Sequence, residues 1–210
     1  KKVAVIGTGT LGAQSAVQAA SYGYDVKAYD QDPESFQKTL QKIRGVMKMR
    51  GKGPTVPMEE WEKGIQRVKQ AKDLAAAVKE ADLVIEAVLE DLELKRKVFA
   101  QIDSLAPQGA ILATNSSSIP ISKIESATKR PEKCVNMHFY MPATSMNIVD
   151  LMGGTKTTAE AIEAGQKFIR SIGSIPLTVK KEILGFCFNC VWRAIKRQTL
   201  YMWAGGYVDF

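Results

Sequence analysis

The chain has 210 residues, 45% of them hydrophobic, and a formal net charge of +7. That is ample for a real core; with no aromatic and basic pattern of a nucleic-acid-binding module, the surplus charge points to phosphorylated small molecules. No apolar run approaches the ~20 residues that span a bilayer, so no membrane partner is expected.

The start, Lys1-Lys2-Val3, enters a strand with no signal-peptide core, which predicts a cytoplasmic location, or an organelle matrix after removal of a presequence. Val3 to Ile6 reads as an apolar strand running straight into Gly7-Thr8-Gly9-Thr10-Leu11-Gly12. In this G-x-G-x-x-G turn Gly7 permits the bend, Gly9 lets the backbone approach a pyrophosphate, and Gly12 lets the following helix pack close on the strand. The motif gains weight only inside a β-α-β unit of about 30 residues ending on an acid. Leu11, Ala13, Ala16, Val17, Ala19 and Ala20 supply the helix, Gly23 ends it, and Asp25 to Asp30 is a second strand closing on an acid. Asp30 is placed to accept hydrogen bonds from an adenosine ribose and to repel a 2′-phosphate, so NAD is expected rather than NADP. Asp32 and Pro33 read as an N-cap and first helical residue.

Phe36, Leu40, Ile43 and Met47 then recur at helical spacing, and Lys38, Lys42, Arg44, Lys48, Arg50 and Lys52 form a basic cluster able to hold ligand phosphates. Ile65 to Val68 is a short strand candidate. Asp73 caps Leu74 to Lys79, and Ala81 to Val88 has the continuous apolar texture of a buried parallel strand. Leu94, Val98, Ile102 and Leu105 mark another helix before Pro107. Ala110 to Ala113 is the next strand, delivering Thr114-Asn115-Ser116-Ser117-Ser118 at its carboxyl end, where doubly wound sheets bind ligands. A helix is expected near Ile121.

Cys134 to Tyr140 reads as a strand carrying His138, and Asn147 to Leu151 as one carrying Asp150 inside apolar surroundings. A histidine beside a carboxylate is the arrangement of a general base held in one tautomer. Thr157 with Glu160 suggests a capping box for a helix burying Ile162, Gly165, Phe168, Ile169 and Ile172. Ile175 to Val179 is a last strand, and from Ile183 the pattern turns helical with no strand to follow. Cys134, Cys187 and Cys190 make no disulfide framework. Cys187-Phe188-Asn189-Cys190 is a C-x-x-C without a second pair or neighbouring histidine, so no metal is expected. No G-x-S-x-G elbow surrounds Ser117, which sets a serine hydrolase aside.

With these residues in place the chain resembles the L-3-hydroxyacyl-CoA dehydrogenase family along nearly its whole length. The likeness rests on Gly7 to Gly12, on Asp82 to Lys97, on Asn115 to Ile119, on His138-Phe139-Tyr140-Met141-Pro142 and on Gly185 to Asn189. The resemblance implies an α/β, Rossmann-like doubly wound domain over 1–181, and at 182–210 the start of a helical domain, truncated here, through which a homodimer forms. It implies His138 as catalytic base, Asp150 as its partner, and Ser117 and Asn189 at the substrate oxygen. It implies NAD contacts at Gly7, Gly9, Thr10, Leu11, Gly12, Asp30, Glu90, Lys95 and Asn115. The implied reaction interconverts an L-3-hydroxyacyl-CoA and its 3-oxoacyl-CoA; dehydrogenation of free 3-hydroxy acids or sugar acids, and a catalytically silent NAD-binding protein, remain alternatives. Four departures stand out: Asp150 where Glu is common, Met141 for Asn, Ile183-Leu184 for Thr-Pro, and Cys190 for Arg.

Overall fold

The computed structural model describes residues 1–51, 53–140 and 147–209. The strands are β1 (Lys2–Ile6), β2 (Asp25–Tyr29), β3 (Lys69–Gln70), β4 (Leu83–Glu86), β5 (Ile111–Thr114), β6 (Cys134–Phe139), β7 (Ile148–Gly153) and β8 (Ile175–Val179). They form one sheet in the order β3-β2-β1-β4-β5-β6-β7-β8. The first six run parallel, β7 is antiparallel to β6, and β8 is parallel to β7. β4 and β6 are buried along their whole length, as interior strands of a sheet covered on both faces are. The strand order reverses between β1 and β4, so a crevice opens at their carboxyl ends.

One face of the sheet is covered by α1 (Thr10–Ser21), α2 (Ser35–Arg50), α3 (Met58–Arg67) and α6 (Ala159–Ser171), around Phe36, Trp61, Phe168 and Ile169. The other is covered by α4 (Leu74–Val78) and α5 (Leu92–Leu105), around Val78, Phe99 and Ile102. α1 lies deepest, its Ala13, Ala16, Val17, Ala19 and Ala20 fully buried; short side chains let its axis come close to the strands. Asp73 and Asp91 cap α4 and α5, accepting from Ala76 N at 2.7 Å and Leu94 N at 2.8 Å.

Several local expectations shift. Ile65 to Val68 is not a strand: Trp61, Gly64, Ile65 and Val68 follow helical spacing, and a Cβ at Gly64 would lie 2.2 Å from Ser21 Oγ, so α3 is pressed on α1 and the strand begins at Lys69. α2 starts at Ser35, and Asp32 Oδ1 accepts from Glu34 N at 2.9 Å in the turn ahead of it. The N-cap of α6 is Thr158, not Thr157, whose hydroxyl is occupied by Gly154 N and Cys134 O. Three 3-10 turns (Ile121–Lys123, Glu125–Ala127, Pro131–Lys133) replace the helix expected near Ile121.

Beyond β8 the chain forms α7 (Phe188–Ala204), in which no residue is buried; Val191, Trp192, Ile195, Leu200 and Trp203 are exposed on it. No helix among the described residues is long and apolar enough to cross a membrane. Lys52, Met141 and Pro142 lie outside the described residues.

Candidate active site

The glycine turn is shaped by contacts that leave no room for side chains. Gly7 has φ +92° and a Cβ there would meet Ala87 O at 2.6 Å; a Cβ at Gly12 would fall 1.9 Å from Gly7 O. Gly9 is different, since a Cβ there would meet nothing within 4 Å: its free side is open space. Gly9 is also the N-cap of α1, with no side-chain cap and no acidic residue in the first turn, so the N–H groups at Thr10 and Leu11 carry the positive end of the helix into that space. A cavity of ≈ 750 Å³ lies alongside, lined by Gly7, Gly9, Tyr29, Asp30, Val88 and Leu94 among others, a volume that suits an adenosine moiety. Asp30 is fixed rather than free: Oδ2 accepts from Thr8 N at 2.6 Å and Thr8 Oγ1 at 3.1 Å, and Oδ1 from Asp32 N at 3.0 Å. Oδ2 is thus filled by Thr8, and Oδ1 retains a lone pair for a ribose hydroxyl. An anion cradle, a cavity and an acid at the second strand's end together fit a dinucleotide.

The serine turn is organised from below. Glu90 Oε1 accepts from Ser116 Oγ at 2.5 Å, Ser117 N at 3.0 Å, Ser118 N at 2.8 Å and Ser118 Oγ at 2.9 Å. Lys95 Nζ meets Glu86 Oε1 at 2.8 Å, Val88 O at 3.3 Å and Glu90 Oε2 at 3.4 Å, and is 1% exposed. All three ammonium protons thus have protein acceptors, and Lys95 braces Glu90 from below. Burial works against the Glu90 charge, yet the Ser116 hydroxyl, the Lys95 ammonium and Ser118 hold its pKa down to about 2. Asn115 serves as a tie, its Oδ1 accepting from Phe139 N at 2.8 Å.

Glu90's grip sets Ser117 against His138, with Ser117 Oγ to His138 Nε2 at 2.9 Å. The histidine is the last residue but one of β6, 3% exposed, and burial lowers its pKa to about 4, the Glu90 charge opposing; at neutral pH it is an uncharged base. Because β7 is antiparallel to β6, the beginning of β7 lies at this edge, and Asp150 pairs in register with His138. Cross-strand partners share one face of a sheet. The expected hydrogen bond between them is nevertheless absent: Asp150 Oδ2 accepts from Tyr140 Oη and, at 3.2 Å, from Cys187 N, while Asp150 Oδ1 and His138 Nδ1 are buried without a partner. The side chain is one methylene short. Burial raises the Asp150 pKa against the opposing Tyr140 hydrogen bond, and burial likewise raises that of Tyr140.

Asn189 lies in the first turn of α7, and no side-chain hydrogen bond among the described residues joins it to His138 or Ser117. Two residues that sequence reading missed complete the chamber. Tyr140 meets His138 edge-on, centroids 4.5 Å apart. Phe186, the one non-glycine residue with positive φ (52°) among those described, is 2% exposed, with its ring 5.1 Å from the imidazole. A side chain held in the left-handed region is strained, and here the strain places a ring over the base. The signal available was Tyr140's spacing of two from His138, which puts both on one side of an extended chain; Phe186 carried none.

Of the basic cluster, Lys38 is paired with Asp32 and Glu34, and Arg44 with Glu62 at 2.7 Å, so two of its charges are neutralised within the protein. The described residues contain no group of three or more His, Cys, Asp or Glu able to hold a metal, and Cys190 Sγ donates to Leu184 O.

Residues 2–183 match the family model described as 3-hydroxyacyl-CoA dehydrogenase, NAD binding domain. A 5-formyl-3-hydroxy-2-methylpyridine 4-carboxylate 5-dehydrogenase of Mesorhizobium japonicum is 32% identical over 210 residues, covering 100% of this chain and 67% of that protein. A 3-hydroxyadipyl-CoA dehydrogenase of Escherichia coli is 36% identical over 205 residues, 94% of this chain but only 43% of the relative's own length. Among solved structures, a diketoreductase described as acting on dicarbonyl compounds superposes with a TM-score of 0.90 at 33% identity, covering 100% of this chain and 74% of its own.

Proposed function

The chain belongs to the 3-hydroxyacyl-CoA dehydrogenase family and has NAD as its cofactor, and on that premise we propose that the protein of which it is part interconverts an L-3-hydroxyacyl-CoA and its 3-oxoacyl-CoA. The observation that carries the reading is the Ser117–His138 pair at 2.9 Å on the sheet edge that also bears the glycine turn. His138 takes the hydroxyl proton on Nε2, and Ser117 orients the substrate oxygen, a positioning and electrostatic role. NAD, when bound, accepts the hydride that leaves the same carbon, so the alcohol becomes a ketone and the proton rests on the imidazole. For Nε2 to act as base, Nδ1 carries the proton, and the negative charge of Asp150 beside it favours the imidazolium. Phe186 keeps water away from the pair. Gly7, Gly9, Thr10, Leu11, Gly12 and Asp30 hold the cofactor, and Glu90, Lys95 and Asn115 hold the serine turn.

Residues 182–210 then begin a second, helical unit that adds Asn189 to the site and pairs two subunits. The absence of a buried residue in α7 supports this. A second reading, a hydroxy acid without coenzyme A, is favoured by the Mesorhizobium relative, whose name specifies a pyridine carboxylate, and by the two basic residues already neutralised in the cluster.

The test is NADH formation by the full natural chain with 3-hydroxyacyl-CoA and with free 3-hydroxy acids. A His138→Gln variant is expected to lose about 10³-fold in kcat, the scale of a general base, with NAD binding retained. An unchanged rate removes His138 from the chemistry; turnover of free acids alone selects the second reading.

A further inference from the structure

Asp150 and His138 present an unfinished contact. Each has one buried polar atom without a partner, Oδ1 and Nδ1, and the two residues face each other across β6 and β7. In a native interior such orphans are rare and costly, and two complementary ones on cross-strand neighbours point to a bond made at another stage of the cycle. Asp150 cannot move freely to make it. Tyr140, the residue just beyond β6 and two on from His138, donates its hydroxyl to Oδ2, where Cys187 N also donates at 3.2 Å. The Tyr140 ring is itself wedged, edge-on to His138 at 4.5 Å and 4.8 Å from Phe188.

We propose that Tyr140 is a positioning residue for the dehydrogenation: its hydroxyl anchors one oxygen of the short Asp150 carboxylate and keeps it charged, leaving the other oxygen for His138 Nδ1–H as the imidazolium forms. The inference rests on the reading of His138 as the base. Two donors on Oδ2 oppose the burial that raises the acid's pKa, and they fix its rotation, so the missing methylene is compensated by a clamp. The titratable groups around His138 are Glu90 from the serine-turn side, Asp150 from β7 and Tyr140 from just beyond β6, with Phe186 closing the remaining side.

His138 is the single histidine of the 210 residues, and in the full natural chain its imidazole signal in an NMR titration is assigned by its loss in His138→Gln. Tyr140→Phe keeps the ring and removes only the donor. It is expected to lower the histidine pKa by about half a unit or more, and to lower kcat about tenfold with KM changed less than about threefold. Adding Asp150→Glu, whose extra methylene reaches the imidazole without the clamp, is expected to restore most of the loss. A histidine pKa that stays or rises in Tyr140→Phe, or a loss confined to KM, overturns the proposal. Should Tyr140→Phe not fold, Asp150→Glu alone decides: the histidine pKa is expected to rise, and no rise overturns the proposal. If the natural chain oxidises no 3-hydroxyacyl-CoA, the functional reading falls while the titration still decides this inference.

Discussion

The glycine turn after β1 and the paired ends of β6 and β7 lie on one edge of one sheet, yet they are specified in different currencies. At the turn the geometry is set by backbone against backbone, with Gly12 pressed on Gly7 O and Gly7 on Ala87 O; residue type is dictated by the absence of a side chain. At β6–β7 the backbone register is ordinary, and what matters is how far side chains reach: Asp150 falls short of His138, Tyr140 intervenes, and Phe186 is bent over the imidazole. A site made of main chain tolerates no substitution at its tight points. One made of side chains can be retuned one residue at a time.

The sharpest attempt to break this contrast is Gly12→Ala. Its methyl has a carbonyl oxygen 1.9 Å away that cannot yield, so a destabilisation of about 3 kcal/mol or more is expected, read by denaturant unfolding, together with loss of NAD binding; a stable, NAD-binding variant would dissolve the distinction. The β6–β7 side is probed by pH. His138 titrates near 4 in the folded chain against 6.5 ordinarily, so the unfolded chain binds more protons between these values. Stability is therefore complete above about pH 6.5 and falls as pH drops toward about 4, by on the order of 3 kcal/mol. Urea unfolding across this range, wild type against His138→Gln, isolates the term, because the depressed Glu90 pKa acts in both proteins and lower in pH. The smallest expected effect on stability is that of Gly9→Ala, where the added methyl meets only open space: about 1 kcal/mol or less in unfolding, but at least about a tenfold loss of NAD affinity in titration, because the methyl takes the room of a phosphate.

The same contrast explains what could be read from the amino acids. Gly7 and Gly12 were legible because the backbone demands glycine there, Gly9 and Asp30 because they complete the fingerprint at its spacing, and the helix formed by Leu94, Val98 and Ile102 because its period is long and regular. Ile65 to Val68 misread because two β-branched residues, Ile65 and Val68, sit at the end of a helix whose determinant, Gly64 against Ser21, is a tertiary contact. Ser117, His138 and Asp150 were found as strand-end residues, but the direction of β7 and the length of one side chain decide which atoms meet, and neither is written locally. Lys95 was assigned by family resemblance alone, and only the fold reveals that its ammonium is spent on Glu86, Glu90 and Val88.

The Asp30 carboxylate has a consequence for redesign. The group that would discriminate between cofactors is also the clasp of the glycine turn, since one of its oxygens takes both the amide and the hydroxyl of Thr8. Exchanging the acid for a residue that welcomes a 2′-phosphate unfastens the loop that carries the pyrophosphate. The Thr8–Asp30 couple is therefore one unit, and an engineer who replaced the acid would have to rewrite both positions together.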